Sequence, residues 1–291
     1  LGIGYCAGGM VCFAALYILV GHSQKRKADP HGLTLLVFLT GLAMSLVRAD
    51  AFAAELYPGR LVLIGTLIGV AAGVGIFGTS LSAHAGVPTS IVNTVASLAL
   101  TVPIVLALVL FHQMPRAAQW LGLGLAVTAI LLLQGVRPAG GTEAGAGASA
   151  GRQALRAVYM TLMFLGNGLA QFLQARLHHE GLGGFQAQAL TLMYLAGAVC
   201  SAGALAVFRG RINGGALRYG CGVGMASFFG NFCVLHALAT LPASVVFPVA
   251  ICGPIVLTVI FSRVVEGDRL SARQGWGLAS GAAALLMLTV G

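Results

Sequence analysis

Apolar stretches about as long as a membrane is thick recur along this chain, and no other feature constrains its fold as much. They run at approximately residues 2–21, 33–51, 61–83, 88–111, 117–136, 154–177, 184–208, 214–238, 242–262 and 273–290. Crossing about 30 Å of hydrocarbon takes roughly 20 helical residues. In lipid every backbone N–H and C=O must be satisfied within the protein, which leaves helices or closed barrels. Barrel strands are short and alternate polar with apolar residues, whereas these runs are long and uniformly apolar. The sequence therefore predicts an all-α membrane protein with ten transmembrane helices.

Of the 291 residues, 58% are hydrophobic and 8% are charged, against about 25% charged in a soluble domain. A chain of this size cannot enclose so much apolar surface in a core of its own, so the bilayer is an expected partner. The 42 glycines suit helices that approach one another closely. The net charge of +9 comes from cations flanking apolar runs, a membrane-orientation pattern rather than a nucleic-acid one. Cys6, Cys12, Cys200, Cys221, Cys233 and Cys252 lie inside apolar runs without metal-ligand spacing, and read as small core residues. The first run has no charged region or cleavage site before it, so a span is expected there rather than a signal peptide. Leu1 is not an initiator Met, which leaves a preceding segment open.

Between the fifth and sixth runs lies Arg137-Pro138-Ala139-Gly140-Gly141-Thr142-Glu143, continuing in Ala, Gly and Ser to Gly151. Such composition makes a flexible linker. It divides the chain into residues 1–136, a linker at 137–153, and residues 154–291. Each side holds five runs. An odd number of spans per unit places two tandem units in opposite orientations, the inverted-repeat plan of many secondary transporters. The two sides also echo each other. Val87-Pro88-Thr89-Ser90 is answered 154 positions later by Leu241-Pro242-Ala243-Ser244, and Trp120 and Trp276 open the runs that follow. Gly65, Gly69 and Gly73 in the third run and Gly220, Gly224, Ala226 and Gly230 in the eighth form small-residue faces.

The blocks from Gly75-Ile76-Phe77-Gly78 through Val87-Pro88-Thr89-Ser90 to Trp120-Leu121-Gly122-Leu123-Gly124, and the eighth to tenth runs, resemble the drug/metabolite transporter superfamily in its ten-helix form with two EamA-like halves. In the second block, Val265-Glu266-Gly267-Asp268-Arg269-Leu270-Ser271 followed by Gln274-Gly275-Trp276-Gly277 is similar to that family's loop into the last helix. The first half departs from it, reading His112-Gln113-Met114-Pro115-Arg116 without the acid. The resemblance implies a transport role and this fold, without a substrate.

Loops after odd-numbered runs carry most of the Lys and Arg, among them Lys25, Arg26, Lys27, Arg209, Arg211 and Arg218. Loops after even-numbered runs carry Arg48, Arg60, Arg116 and Arg176. The bias places the odd loops on the cytoplasmic side; the family resemblance implies the reverse, with both termini cytoplasmic. An integral multi-pass protein of a bacterial inner membrane, monomeric or homodimeric, is the expectation.

All seven acids, Asp29, Asp50, Glu55, Glu143, Glu180, Glu266 and Asp268, lie in loops or at run ends. With no carboxylate at mid-membrane, the signature of cation coupling through a buried acid is missing. A carboxylate metal cage has no ligands either. No catalytic residue, metal site or cofactor is expected. Uncharged polar groups do sit deep. Asn167, Gln171 and Gln174 share one helical face by their i, i+4, i+7 spacing, continued by Met160, Met163 and Phe164. Amides cannot face lipid cheaply, so the row either lines a cavity or bonds helix to helix. Asn93, Ser97 and Thr101 form a similar row, with Ser and Thr free to bond their own helix. Asn231, Tyr194 and Phe247 complete the candidate substrate wall, Tyr194 equally readable as a packed aromatic with a satisfied hydroxyl. Candidate gating residues are Pro103, Pro248 and Pro254, which free carbonyls and kink helices, and His84 and His236, which titrate near neutrality or simply bond loop backbone.

The function expected is alternating-access transport of a small organic metabolite or drug-like solute. A lipid-linked carrier translocase and a non-transporting intramembrane enzyme or scaffold stand as alternatives. Ser97 or Ser201 facing a His would be the only nucleophile candidates of the enzyme, and no G-x-S-x-G elbow accompanies either.

Overall fold

The structure, a computed structural model, describes residues 1–47, 57–85, 87, 95–99, 101–111, 117–133, 150–265 and 272–290. Within these lie ten α-helices: α1 (Gly2–Lys25), α2 (Pro30–Leu46), α3 (Gly59–His84), α4 (Thr101–Phe111), α5 (Ala117–Leu133), α6 (Ala150–His179), α7 (Gln186–Val207), α8 (Gly214–Leu238), α9 (Ala243–Val265) and α10 (Ala272–Val290). A 3-10 turn, Gly183–Phe185, leads into α7. No strand occurs among the described residues. The protein is all-helical. Five stretches are long and apolar enough to cross a membrane: Gly2–Ser23, Gly59–Thr79, Gly183–Val207, Gly214–Leu238 and Ala243–Phe261. The apolar helices α2 and α5, with 17 residues each, are shorter. Helix α6 takes in 150–153, which the sequence had placed in the linker, and the span expected at 88–111 is described only from 95, as a helical turn at 95–98 and then α4.

Local signals explain several helix starts. Asp29 caps α2, its Oδ1 accepting from Gly32 N–H at 2.8 Å, with Pro30 in the first turn where no donor is needed. Asn213 caps α8 in the same way through Ala216 N–H at 2.8 Å. Pro103 stands third in α4. It cannot donate to the carbonyl of Ala99, and that carbonyl is taken instead by Val102 N–H at 3.1 Å. The proline thus follows a turn at Ala99 ahead of α4.

Glycines set how the helices meet. Alpha-carbons come close where no Cβ intervenes, and the pairs of residues reveal direction. Gly65, Gly69 and Gly73 of α3 lie against Leu192, Met193 and Cys200 of α7, numbers rising together, so these helices run parallel. Gly220 and Gly224 of α8 lie against Leu36 and Thr40 of α2, also parallel. Gly75 and Gly78 of α3 lie against Asn167 and Met163 of α6, numbers opposed, so this pair is antiparallel. Gly8 and Phe13 of α1 lie against Cys233 and Gly230 of α8, and Gly2 against Thr240 just beyond its end, antiparallel again. Helices α2 and α7 cross antiparallel at the centre: Gly41 receives the Tyr194 ring and Gly197 the Phe38 ring. The small-residue faces expected on α3 and α8 are therefore helix contacts.

The main core lies among α2, α3, α6, α7 and α8, with Phe38, Leu61, Ile68, Leu177, Leu190, Tyr194 and Leu235 fully buried. A second cluster joins α9 to α1 and α8 through Cys6, Val234, Val246 and Phe247. Helices α5 and α10 lie side by side and touch the rest mainly through α9.

Candidate functional site

Helix α6 presents three different faces. Val158, Leu162, Leu165 and Leu169 form an exposed row. Met163, Gly166, Ala170, Leu173, Gln174 and Leu177 are buried; of these Met163 and Gly166 meet α3. A third row, Met160, Phe164, Asn167, Gln171 and His178, is half-buried. With 3.6 residues per turn, this row lies roughly 200° round the helix from the leucines. It therefore points into the bundle. On its other flank Gly168 meets Val102 and the Ala99 carbonyl, bringing α4 alongside. The row stands between the contacts to α3 and α4 and is not fully closed by packing.

The amides of this helix divide by surroundings. Gln174 is buried, and its Nε2 donates to Asn231 Oδ1 of α8 at 3.0 Å. It also lies 3.9 Å from the thioether sulfur of Met193. Asn231 Nδ2 in turn donates to the Ser227 carbonyl at 2.9 Å and reaches the Tyr194 hydroxyl at 3.3 Å. Tyr194 Oη and Ser227 Oγ are 3.0 Å apart. Gln174, Asn231, Ser227 and Tyr194 are thus one connected network tying α6, α7 and α8. Tyr194 is fully buried and takes part through a satisfied hydroxyl. Gln171 differs: its Oε1 is buried and has no hydrogen-bond partner among the described residues. A buried acceptor left unpaired costs about 1–3 kcal/mol, so the position is suited to a donor brought by a ligand. Asn167 Oδ1 sits over Gly75, where a Cβ would come within 2.5 Å of it.

The other expected residues are dispersed. Ser97 is buried in the turn before α4, and Thr101 Oγ1 donates to the Leu98 carbonyl at 2.8 Å, so Thr101 bonds its own backbone. Asn93 lies outside the described residues, as does the side chain of His84. Phe247 is buried in the apolar cluster of α1, α8 and α9, away from the amide row. Pro248 and Pro254 stand inside α9, both buried. His236 Nδ1 bonds the Phe232 carbonyl of its own helix at 2.9 Å, and its ring lies 4.0 Å from that of Phe232 and 5.0 Å from that of Tyr5. Near it, beyond the apolar 154–177 run, stands His178, whose Nε2 is buried without a partner. Burial holds this ring below its ordinary pKa, the Leu235 carbonyl opposes the shift, and His236 adds to it. Arg176 pairs with Glu180 one turn on, at 2.6 Å. Among the described residues no three metal-ligating side chains converge.

Comparison with known proteins adds the fold. A solved crystal structure, described only as that of a protein, superposes on 99% of this chain and 96% of its own, with a TM-score of 0.78 and 15% identity. Likeness at that identity concerns architecture alone. No protein-family model and no curated protein matches the chain.

Ser227 and Met193 were absent from the sequence reading. Ser227 stands four residues before Asn231, hence on the same face of α8, and that spacing was the available signal. Met193 carries none, because a methionine in an apolar run reads as core.

Proposed function

We propose that this protein is a secondary transporter of small organic solutes that works by alternating access. The observation that carries the reading is the inward, accessible row of α6, with Asn167 and Gln171 at its centre and the unpaired Gln171 Oε1 within it. An amide row facing a packed interface would be closed and fully paired; one facing a gap suits a solute that completes its hydrogen bonds. Phe164 and Met160 in the same row supply apolar surface, so a neutral, zwitterionic or amphipathic solute fits.

We read the chain as ten spans, built from one five-helix unit used twice in opposite orientation, at 1–136 and 154–291. Four observations support this. Phe38 and Gly41 correspond to Tyr194 and Gly197, 156 positions on, and the two pairs fill each other. Gly75 and Asn167 meet as Gly230 and Phe13 meet, with partners 155 and 154 positions apart. Helix α3 is antiparallel to α6 as α8 is to α1. The blocks resembling the drug/metabolite transporter superfamily fall in corresponding parts of both units. In such a plan solute sites lie at the interface between repeats, and the amide row of α6 faces α3 of the other unit. The second unit contributes Asn167 where the first has Phe13, so the path is polar on one side and aromatic on the other.

The test is transport by the purified chain in proteoliposomes, with a panel of amino acids, nucleosides, sugars and amphipathic amines in uptake and counterflow formats. Saturable flux of one class that falls in the Gln171→Ala variant supports the reading. Absence of saturable flux for every class overturns it.

A further inference from the structure

At one end of the bundle two loops are built alike and joined. After α1, Ala28 N–H returns to the Ser23 carbonyl at 3.0 Å, with Lys27 at φ 54°. After α7, Gly210 N–H returns to the Leu205 carbonyl at 3.0 Å, with Arg209 at φ 50°. Both are helix-ending turns whose left-handed position is ordinarily filled by glycine. After α6 the same turn, Leu182 N–H to the Leu177 carbonyl at 3.0 Å, does use a glycine, Gly181 at φ 74°. Lys27 and Arg209 are the two described non-glycine residues with positive φ. Each turn thus places a cation where glycine is the commoner residue.

The two turns are locked together. Asn213 Nδ2 donates to the Lys27 carbonyl at 3.1 Å, and Asp29 N–H reaches Asn213 Oδ1 at 3.4 Å. Gly32 lies against the Arg211 carbonyl. Exposed on this junction are Arg26, Lys27, Arg209, Arg211 and Arg218. Among the described residues its one acid is Asp29, whose Oδ1 is occupied by Gly32 N–H. Among the cations stand exposed apolar side chains, Val207, Phe208, Ile212 and Leu217.

We propose that this junction binds the phosphate headgroup of an anionic phospholipid in the adjoining leaflet. The cations supply charge complementarity from two loops at once. The apolar side chains enter the boundary between headgroups and acyl chains, as in interfacial segments. A lysine or arginine near an anionic surface strengthens the contact about fivefold, so several acting together select anionic over zwitterionic lipid. The site is independent of the transport reading and needs only that the chain sits in a membrane.

The test uses the full chain in nonionic detergent. Phosphatidylglycerol, phosphatidylcholine or soluble glycerophosphoglycerol is added, and the thermal midpoint and the lipid retained in native mass spectrometry are followed. The Lys27→Gly/Arg209→Gly variant removes two cations while relaxing both turns, so it should fold at least as well in the absence of lipid. Phosphatidylglycerol is expected to raise the wild-type midpoint and stay bound, with apparent affinity about tenfold weaker or worse in the variant, and the effect should fade at high salt. Equal stabilisation by phosphatidylcholine, undiminished binding by the variant, or the same effect from glycerophosphoglycerol would each overturn the proposal.

Discussion

Phe38 and Tyr194 meet edge to face where α2 crosses α7, their ring centroids 6.1 Å apart and their planes at 61°. Each ring occupies the space that a side chain would need at the glycine of the other helix, Phe38 at Gly197 and Tyr194 at Gly41. The reciprocity centres the bundle. It also positions the Tyr194 hydroxyl for the network that α6 and α8 complete.

Gly41→Ala and Gly197→Ala should therefore each destabilise the protein. The added methyl would collide with a ring that is itself buried, and overpacking of that kind costs about 1–3 kcal/mol. Because the two contacts mirror each other, the losses should be similar. Thermal midpoints in detergent check this; Gly4→Ala, with nothing within 4 Å of the added carbon, is the control and should be neutral. A tolerated Gly41→Ala would mean that the crossing is looser than described.

Much of this architecture was legible in the residues. The apolar runs foretold an all-helical chain, of which five stretches are long and apolar enough to cross a membrane, and the glycine rows of α3 and α8 foretold close contacts. The amide row of α6 was visible from its spacing. What spacing could not separate was Gln174 from Gln171, since a partner such as Asn231 comes from a helix 57 positions on. Besides the proline echo at an offset of 154, a second likeness lies at an offset of 156. Val37-Phe38-Leu39-Thr40-Gly41 and Ser45 recur as Met193-Tyr194-Leu195-Ala196-Gly197 and Ser201. Leu39, Gly41 and Ser45 match Leu195, Gly197 and Ser201, while most of the residues around them differ. Phe247 misled for a physical reason: an aromatic in a proline-marked run fits a cavity wall or a core equally, and only packing decides.

The Gln174–Asn231 bond should be measurable as a coupling. Removing either amide leaves the other short of a partner in a largely dry setting. Bonds between membrane helices are worth about 0.6–2 kcal/mol in such cycles. Gln174→Ala and Asn231→Ala should each lower the thermal midpoint, and the double variant should lose less than the sum. Strict additivity would show that the pair does not interact.

His178 gives the fold a pH dependence of predictable sign. Burial lowers its pKa in the folded chain, while in the unfolded chain the ring titrates near the ordinary value of about 6.5. As pH falls through that value, the unfolded chain takes up a proton that the folded chain refuses. The stability contribution is therefore complete above about pH 6.5 and is lost progressively below it. The thermal midpoint should drop between about pH 7.5 and pH 5.5, and His178→Gln should flatten part of that drop. Identical profiles for the two proteins would exclude His178 as the cause.

The sharpest separation concerns two glutamines one turn apart. Gln174 is buried and bonded to Asn231, so its loss should appear in stability whether or not solute is present. Gln171 is half-buried, with a buried, unpaired Oε1, so truncating it removes an unsatisfied acceptor and should leave the thermal midpoint unchanged or slightly raised. If Oε1 receives a donor from the solute, Gln171→Ala forfeits that hydrogen bond. A neutral bond is worth about 0.5–1.5 kcal/mol and one to a charged donor about 1.5–3 kcal/mol, which converts to a rise in transport KM of roughly twofold to more than a hundredfold. Gln171→Glu adds a further readout: a carboxylate there should favour cationic solutes and disfavour anionic ones. Flux measurements on Gln171→Ala, Gln171→Glu and Gln174→Ala in proteoliposomes, beside their thermal midpoints, would resolve the roles. Stability falling and KM holding steady in the Gln171 variants would return that residue to the packing and remove it from the solute path.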